Sequence, residues 1–194
     1  MIIDNKTFQS IKISNEISNF KFIPEIMKLI KKINEKLNLK IDENIIISVK
    51  YGKRIVINSK NSNLKKIKID DFIEIVDYNP IKKLFLIIGA HEPDFNMTLH
   101  WIIQNARKKE NLLVQLNSNL LINRIVKKKK YGKEKQIPYN SIEIAKEILI
   151  KLRTSNTVYI ENFGIFIIGN SFNDIEIIIN RLIEDVKWKL MEKK

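Results

Sequence analysis

The chain has 194 residues, with 35 Lys and Arg against 22 Asp and Glu, two His and no Cys, for a formal charge of +13. That length suits one domain with a sizeable core. The missing cysteine excludes a disulfide framework, a thiolate metal site and a cysteine nucleophile.

The N-terminal MIIDNKTFQS has no apolar stretch behind a basic start, and the longest apolar runs, Leu84 to Ile88 and Ile165 to Ile168, are too short to span a bilayer. The expectation is a soluble cytoplasmic protein with no membrane partner. Five of the basic residues are Arg and the other thirty Lys, and Ile and Asn are also abundant. An A+T-rich genome over-supplies Ile, Lys and Asn. The charge is therefore read first as composition and solubility, and only second as attraction to nucleic acid.

In chain order, residues 1–19 read as an N-terminal extension with a short strand at Phe8–Ile13, and residues 20–194 as one domain. Pro24 suits a first helical turn, and Ile26, Leu29, Ile30, Ile33 and Leu37 recur at helical spacing. Asn44–Lys50 and Lys53–Asn58 are β-rich runs around Tyr51-Gly52, a hairpin signal. Ser59–Lys66 reads as a loop, and Asp71–Asp77 and Lys83–Ile88 as strands joined through the Asn79-Pro80 turn. A helix is expected over Asp94–Lys108, with Asp94 as N-cap and Met97, Trp101 and Ile102 on one face.

Strands are expected at Leu112–Leu116 and Leu120–Val126, then a basic stretch and the Tyr131-Gly132 turn. Ser141 precedes a helix carrying Ile142, Ala145, Ile148, Leu149 and Leu152 on one side. Val158–Ile160 and Ile165–Ile168 flank Asn162-Phe163-Gly164. A final helix places Ile175, Ile178, Ile179, Leu182, Ile183, Val186 and Leu190 together. This order predicts an α/β sandwich around a largely antiparallel or mixed sheet.

The chemistry-bearing residues are few. His91 and His100 lack further ligands at recognisable spacing, so they read as structural or surface residues. No Gly-rich loop opens a helix, which excludes Walker and Rossmann phosphate cradles.

The stretch Tyr159-Ile160-Glu161-Asn162-Phe163-Gly164-Ile165-Phe166-Ile167-Ile168-Gly169-Asn170-Ser171, followed by an amphipathic helix, resembles the end of the class II aldolase/adducin family. There the pattern is strand, Asn-His-Gly, strand, Gly and helix. Gln136-Ile137-Pro138-Tyr139 resembles the segment before that motif. Glu92-Pro93-Asp94-Phe95-Asn96-Met97-Thr98-Leu99-His100 resembles its Pro-Ser-Ser-Glu and following helix, and Asn111–Ser118 its His-x-His strand. The resemblance spans residues 24–190. It implies a three-layer α/β/α sandwich and the sugar-phosphate chemistry of fuculose phosphate type aldolases.

The departures fall on the chemistry. The resemblance implies three zinc-binding histidines and an acid/base glutamate. Gln115, Asn117 and Phe163 stand at the metal positions and Asn96 at the acid/base position. Neutral amides are poor zinc ligands and a phenyl ring is none, so no zinc cofactor is expected. An amide also cannot exchange protons as a carboxylate does. The family's phosphate-holding Gly-Asn and Ser residues are matched by Ile45-Ile46, Lys60-Asn61 and Asp94-Phe95. An aspartate there repels phosphate unless a cation such as Lys60 intervenes.

Three functions follow as expectations. The first is a scaffold without aldolase activity, acting through binding or assembly as a homo-oligomer, a tetramer by resemblance, or beside an active relative. The second is an enzyme with altered, metal-independent chemistry, in which Asn96, Gln115, Asn117 and His100 orient a ligand and Tyr139 or Glu161 moves protons. The third is a weak polyanion binder using Arg124, Lys127, Lys128, Lys129, Lys130, Lys133 and Lys135. That basic loop lacks interleaved aromatics apart from Tyr131, which ranks nucleic acid last among the partners.

Overall fold

Among the described residues, eight of the apolar runs that read as strands in the sequence form one sheet. The computed structural model describes residues 8–40, 43–59, 62–94, 96–118, 121–122 and 142–191, with side chains described as far as residue 184. The strands are β1 (Gln9–Ser14), β2 (Asn44–Tyr51), β3 (Arg54–Asn58), β4 (Phe72–Asn79), β5 (Leu84–Ile88), β6 (Leu112–Asn117), β7 (Thr157–Ile160) and β8 (Gly164–Gly169). Their spatial order is β1-β5-β4-β3-β2-β6-β8-β7. All neighbours are antiparallel except β1 and β5, which run parallel. The segment read as an extension thus supplies an edge strand of the same sheet.

Helices α1 (Ile23–Leu37), α2 (Met97–Ala106), α3 (Ile142–Lys151) and α4 (Phe172–Met191) complete the sandwich. Helices α1 and α4 pack on one face, over Ile45, Ile47, Val49, Val114, Leu116, Ile165 and Ile167. Helices α2 and α3 pack on the other, over Leu113, Phe166 and Ile168, and Met97 of α2 joins Ile46, Ile55, Ile57, Ile73 and Ile75. Odd and even positions of β2, β6 and β8 are both buried. These strands therefore read as continuous apolar runs, because each face of the sheet is covered.

Helix α1 buries Ile26, Leu29, Ile30, Ile33 and Leu37 as their spacing predicts, and ends at Asn38 in the left-handed conformation. Lys32 on α1 reaches Glu176 on α4 at 2.8 Å, and this ammonium holds the Glu176 carboxyl below its usual range. On this same face of the sheet, Glu74 is buried. It accepts hydrogen bonds from Tyr51 Oη at 2.6 Å, from the Arg54 guanidinium, and from Ser18 Oγ at 3.3 Å. This carboxylate ties the segment before α1 to β2, β3 and β4.

Several expectations are corrected. Helix α2 spans 97–106 and buries Met97, Leu99, His100, Ile103 and Gln104, not the Met97–Trp101–Ile102 face, because polar His100 and Gln104 occupy inward positions. In α3, Ile144 takes the inner position assigned to Ile142, which is 74% exposed. Leu121 and Ile122 are helical, not part of a strand, and Ile122 N–H donates to Ser118 O at 2.9 Å. The remainder of 123–141, including Arg124, Lys127, Lys128, Lys129, Lys130, Lys133, Lys135 and Tyr139, lies outside the described residues, as do Lys60, Asn61 and Phe95.

Candidate functional site

The C-terminal end of β6, the N-terminal end of β8 and the start of α2 meet on the α2 face of the sheet. Gly164 makes this junction possible. A Cβ there would lie 2.4 Å from Leu116 O, and its φ of +96° is one that glycine tolerates. With Asn162 also left-handed, at φ 65°, the turn before β8 tucks Phe163 under α2 and α3. Phe163 is 5% exposed and belongs to the cluster of Leu99, Ile144, Ile148, Val158, Ile160 and Phe166.

Beside this ring runs a line of buried polar side chains. Gln115 Nε2 donates to Phe163 O at 2.8 Å and to Asn96 Oδ1 at 3.4 Å. Because that amide nitrogen faces carbonyl oxygens, Gln115 Oε1 is the atom turned to His100 Nε2, at 3.3 Å. His100 Nδ1 lies 2.7 Å from Ser48 Oγ. Ser48 Oγ in turn accepts from Gln104 Nε2 at 2.8 Å, and the same nitrogen donates to Ser48 O at 2.8 Å. At the other end, Asn96 Nδ2 and Asn96 N both donate to Asp94 Oδ1 at 2.7 Å. Asp94 thus holds the entry to α2 through a turn onto Asn96 instead of an ordinary cap.

With the imidazole neutral, the network has one consistent proton arrangement. Gln115 Oε1 only accepts, so His100 Nε2 carries a proton. Ser48 Oγ, already accepting from Gln104, donates to an unprotonated Nδ1. His100 is fully buried, and burial pushes its pKa down to about 4, with the Gln115 hydrogen bond opposing weakly. The imidazole is therefore neutral across the physiological range.

The structure brings together Asn96, Gln115, Phe163, Asp94 and His100 among the residues singled out in sequence. His100, read in sequence as a structural or surface residue, is buried and bonds directly to Gln115. Asn117 is half-buried at the end of β6, opposite Asn44 in the β2–β6 register. Glu161 is exposed in the turn between β7 and β8. Sequence reasoning missed Ser48 and Gln104. The available signal was spacing: His100 and Gln104 lie one helical turn apart, in line with the inward Met97.

No family model matches the chain, and no curated protein matches it. Solved structures do. An L-fuculose 1-phosphate aldolase superposes with a TM-score of 0.70 at 16% identity, covering 91% of this chain and 88% of that one. YgbL from Klebsiella pneumoniae, described as a putative aldolase/epimerase/decarboxylase, gives 0.66 at 10% identity, covering 87% of each chain. The N-terminal class II aldolase domain of a Thermoplasma acidophilum protein gives 0.57 at 15% identity, covering 89% and 93%. At these identities the likeness shows the fold: the chain has the architecture of class II aldolases of the fuculose-phosphate type.

Proposed function

We propose that this protein is a class II aldolase-fold scaffold without aldolase activity, which acts through binding or assembly. The observation that carries the reading is the commitment of Gln115: its nitrogen is held by Phe163 O and its oxygen by His100. A neutral amide held at both ends by hydrogen bonds, beside a buried phenyl ring, is oriented for packing and not for metal ligation. The zinc implied by the resemblance does not fit this donor set, which holds two amides and a hydrocarbon ring. Asn96, at the acid/base position, is fixed by Asp94 and cannot exchange a proton near neutrality.

Two further features support a binding role. The buried network, apart from the Asp94 carboxyl at its end, is built of uncharged hydrogen-bonded side chains, which specify structure more readily than they turn over a substrate. The edge strand β1 exposes Ile11 and Ile13, about half of each side chain, on the rim of the sheet. An apolar edge of this kind suits assembly with another chain.

The test is turnover of L-fuculose 1-phosphate by the purified protein, with and without added Zn²⁺, together with its native mass. The expected result is no cleavage above the zinc-only control and a mass that is a multiple of the 22.9 kDa chain. Cleavage abolished by EDTA contradicts the reading.

A further inference from the structure

The two edges of the sheet are built differently. Strand β7 is short, and its side chains are buried or half-buried. Strand β1 pairs with β5 alone, in parallel, and among the described residues no strand lies on its outer side. Gln9 N donates to Lys83 O at 2.8 Å, so Gln9 and Ile11 turn their main-chain groups towards β5. Alternation then leaves the N–H and C=O of Ser10 and Lys12 on the outer edge. Edge strands are commonly guarded by proline or by an outward lysine. β1 has no proline, and its one lysine is engaged elsewhere: Lys12 Nζ donates to Ala90 O at 3.1 Å and pairs with Glu92 at 3.8 Å.

The side chains alternate in the same way. Ser10 and Lys12 stand beside Phe85 and Ile87, which are buried with Met97 of α2. Ile11 stands beside the half-buried Leu86 on the opposite face, beyond α1 and α4, whose cluster includes no residue of β5. Ile11 and Ile13 are 52% and 54% exposed. Charge is divided along the strand. The exposed turn Ile81-Lys82-Lys83 sits at its start, and the exposed Glu16 and Ile17 follow its end. In a chain of +13, the strand and its Glu92 partner carry no net charge, which lets two like-charged copies meet there.

We infer that β1 is the surface on which two copies of this chain pair, edge to edge and antiparallel, about a twofold axis at Ile11. The pairing rests on the assembly reading above and names the partner as a second copy. With the axis at Ile11, Ser10 faces Lys12 of the second copy and Lys12 faces its Ser10. The outer main-chain groups then meet, and the two sheets run into one. Ile11 faces its own counterpart at a non-hydrogen-bonded position, where side chains approach closely. An axis one residue along would set Lys12 opposite Lys12. The antiparallel sense also brings the Lys82-Lys83 turn of each copy towards Glu16 of the other, whereas a parallel pair would place lysine beside lysine.

The chain has no cysteine, so a single introduced thiol reports the contact. Ile11→Cys sets two thiols opposite each other across the axis, with Cα atoms roughly 4.5 Å apart, a spacing that a disulfide spans. Under mild oxidation it should convert to a cross-linked dimer. Ile81→Cys should not, although Ile81 is more exposed, because its two copies lie at opposite ends of the paired strands. The native mass of the full chain should be twice 22.9 kDa or an even multiple of it, and Ile11→Lys, checked as folded by circular dichroism, should halve that mass. A monomeric wild type, a mass unchanged in Ile11→Lys, or cross-linking of Ile81→Cys as fast as that of Ile11→Cys overturns the pairing. Zinc-dependent cleavage of L-fuculose 1-phosphate by a chain that still cross-links through Ile11→Cys would overturn the scaffold reading and leave this interface standing. An inactive assembly that Ile11→Lys does not alter would do the reverse.

Discussion

The hydroxyl of Ser48 on β2 lies 2.7 Å from Nδ1 of His100 on α2, joining the sheet to the helix through an imidazole with no exposure to water. The contact works only with His100 neutral. In the unfolded chain this imidazole titrates near 6.5, whereas in the fold burial holds it at about 4.

That difference sets the sign of a pH effect. Between these two values the unfolded state binds more protons, so stability contributed by His100 is intact above about pH 6.5 and declines as the pH falls towards 4. The decline amounts to roughly 3 kcal/mol. His100→Gln removes the titration. Urea unfolding of both proteins across this range should show a shallower pH dependence for the variant, and parallel profiles would refute the neutral buried imidazole.

Phe163→His replaces a packed apolar ring with a polar one among Leu99, Val158, Ile160 and Phe166. The expected loss is on the order of 2 kcal/mol in urea unfolding, and added zinc should not restore it. Combining it with Gln115→His and Asn117→His should create zinc affinity that the parent chain lacks, as read by calorimetric titration. An unchanged stability for the single variant would mean that Phe163 is not core.

At the other face, the Glu74 carboxylate organises Tyr51, Arg54 and Ser18. The Tyr51 phenol is pushed up to about 12, by burial first and by Glu74 second. Glu74→Gln should therefore bring Tyr51 part of the way back and no further, as read by ultraviolet titration against a Tyr51→Phe control. A full return to the ordinary value would assign the shift to charge alone.

For the basic segment, Lys127, Lys128, Lys129 and Lys130 should give only weak, sequence-independent binding to nucleic acid, falling steeply with salt. Fluorescence anisotropy with a short duplex checks this. Tight binding near physiological salt that is lost when the four lysines become Gln would move polyanion binding ahead of the scaffold.

Much of the architecture was legible because its signals are apolar and periodic. Helix α1 and strands β2, β3, β6 and β8 follow from Ile and Val spacing, and the hairpin from Tyr51-Gly52. Part of the site was legible through resemblance, which placed Asn96, Gln115 and Phe163 in one region. The inner face of α2 was not. His100 and Gln104 look solvent-facing by composition, and only the polar partners on β2 and β6 make those positions comfortable inside. Ile142 misled for the opposite reason, since an apolar residue at a helix start need not face the core.

The positions that resemble a metal centre in sequence lie here in a buried hydrogen-bonded core. The most direct measurement is the ¹⁵N spectrum of the His100 imidazole at neutral pH, before and after addition of Zn²⁺ and L-fuculose 1-phosphate. The expected result is a neutral ring protonated at Nε2, with Nδ1 accepting from Ser48, and no change on either addition. A ring that is protonated near pH 6.5, or whose signals move when zinc or the sugar phosphate is added, would contradict it.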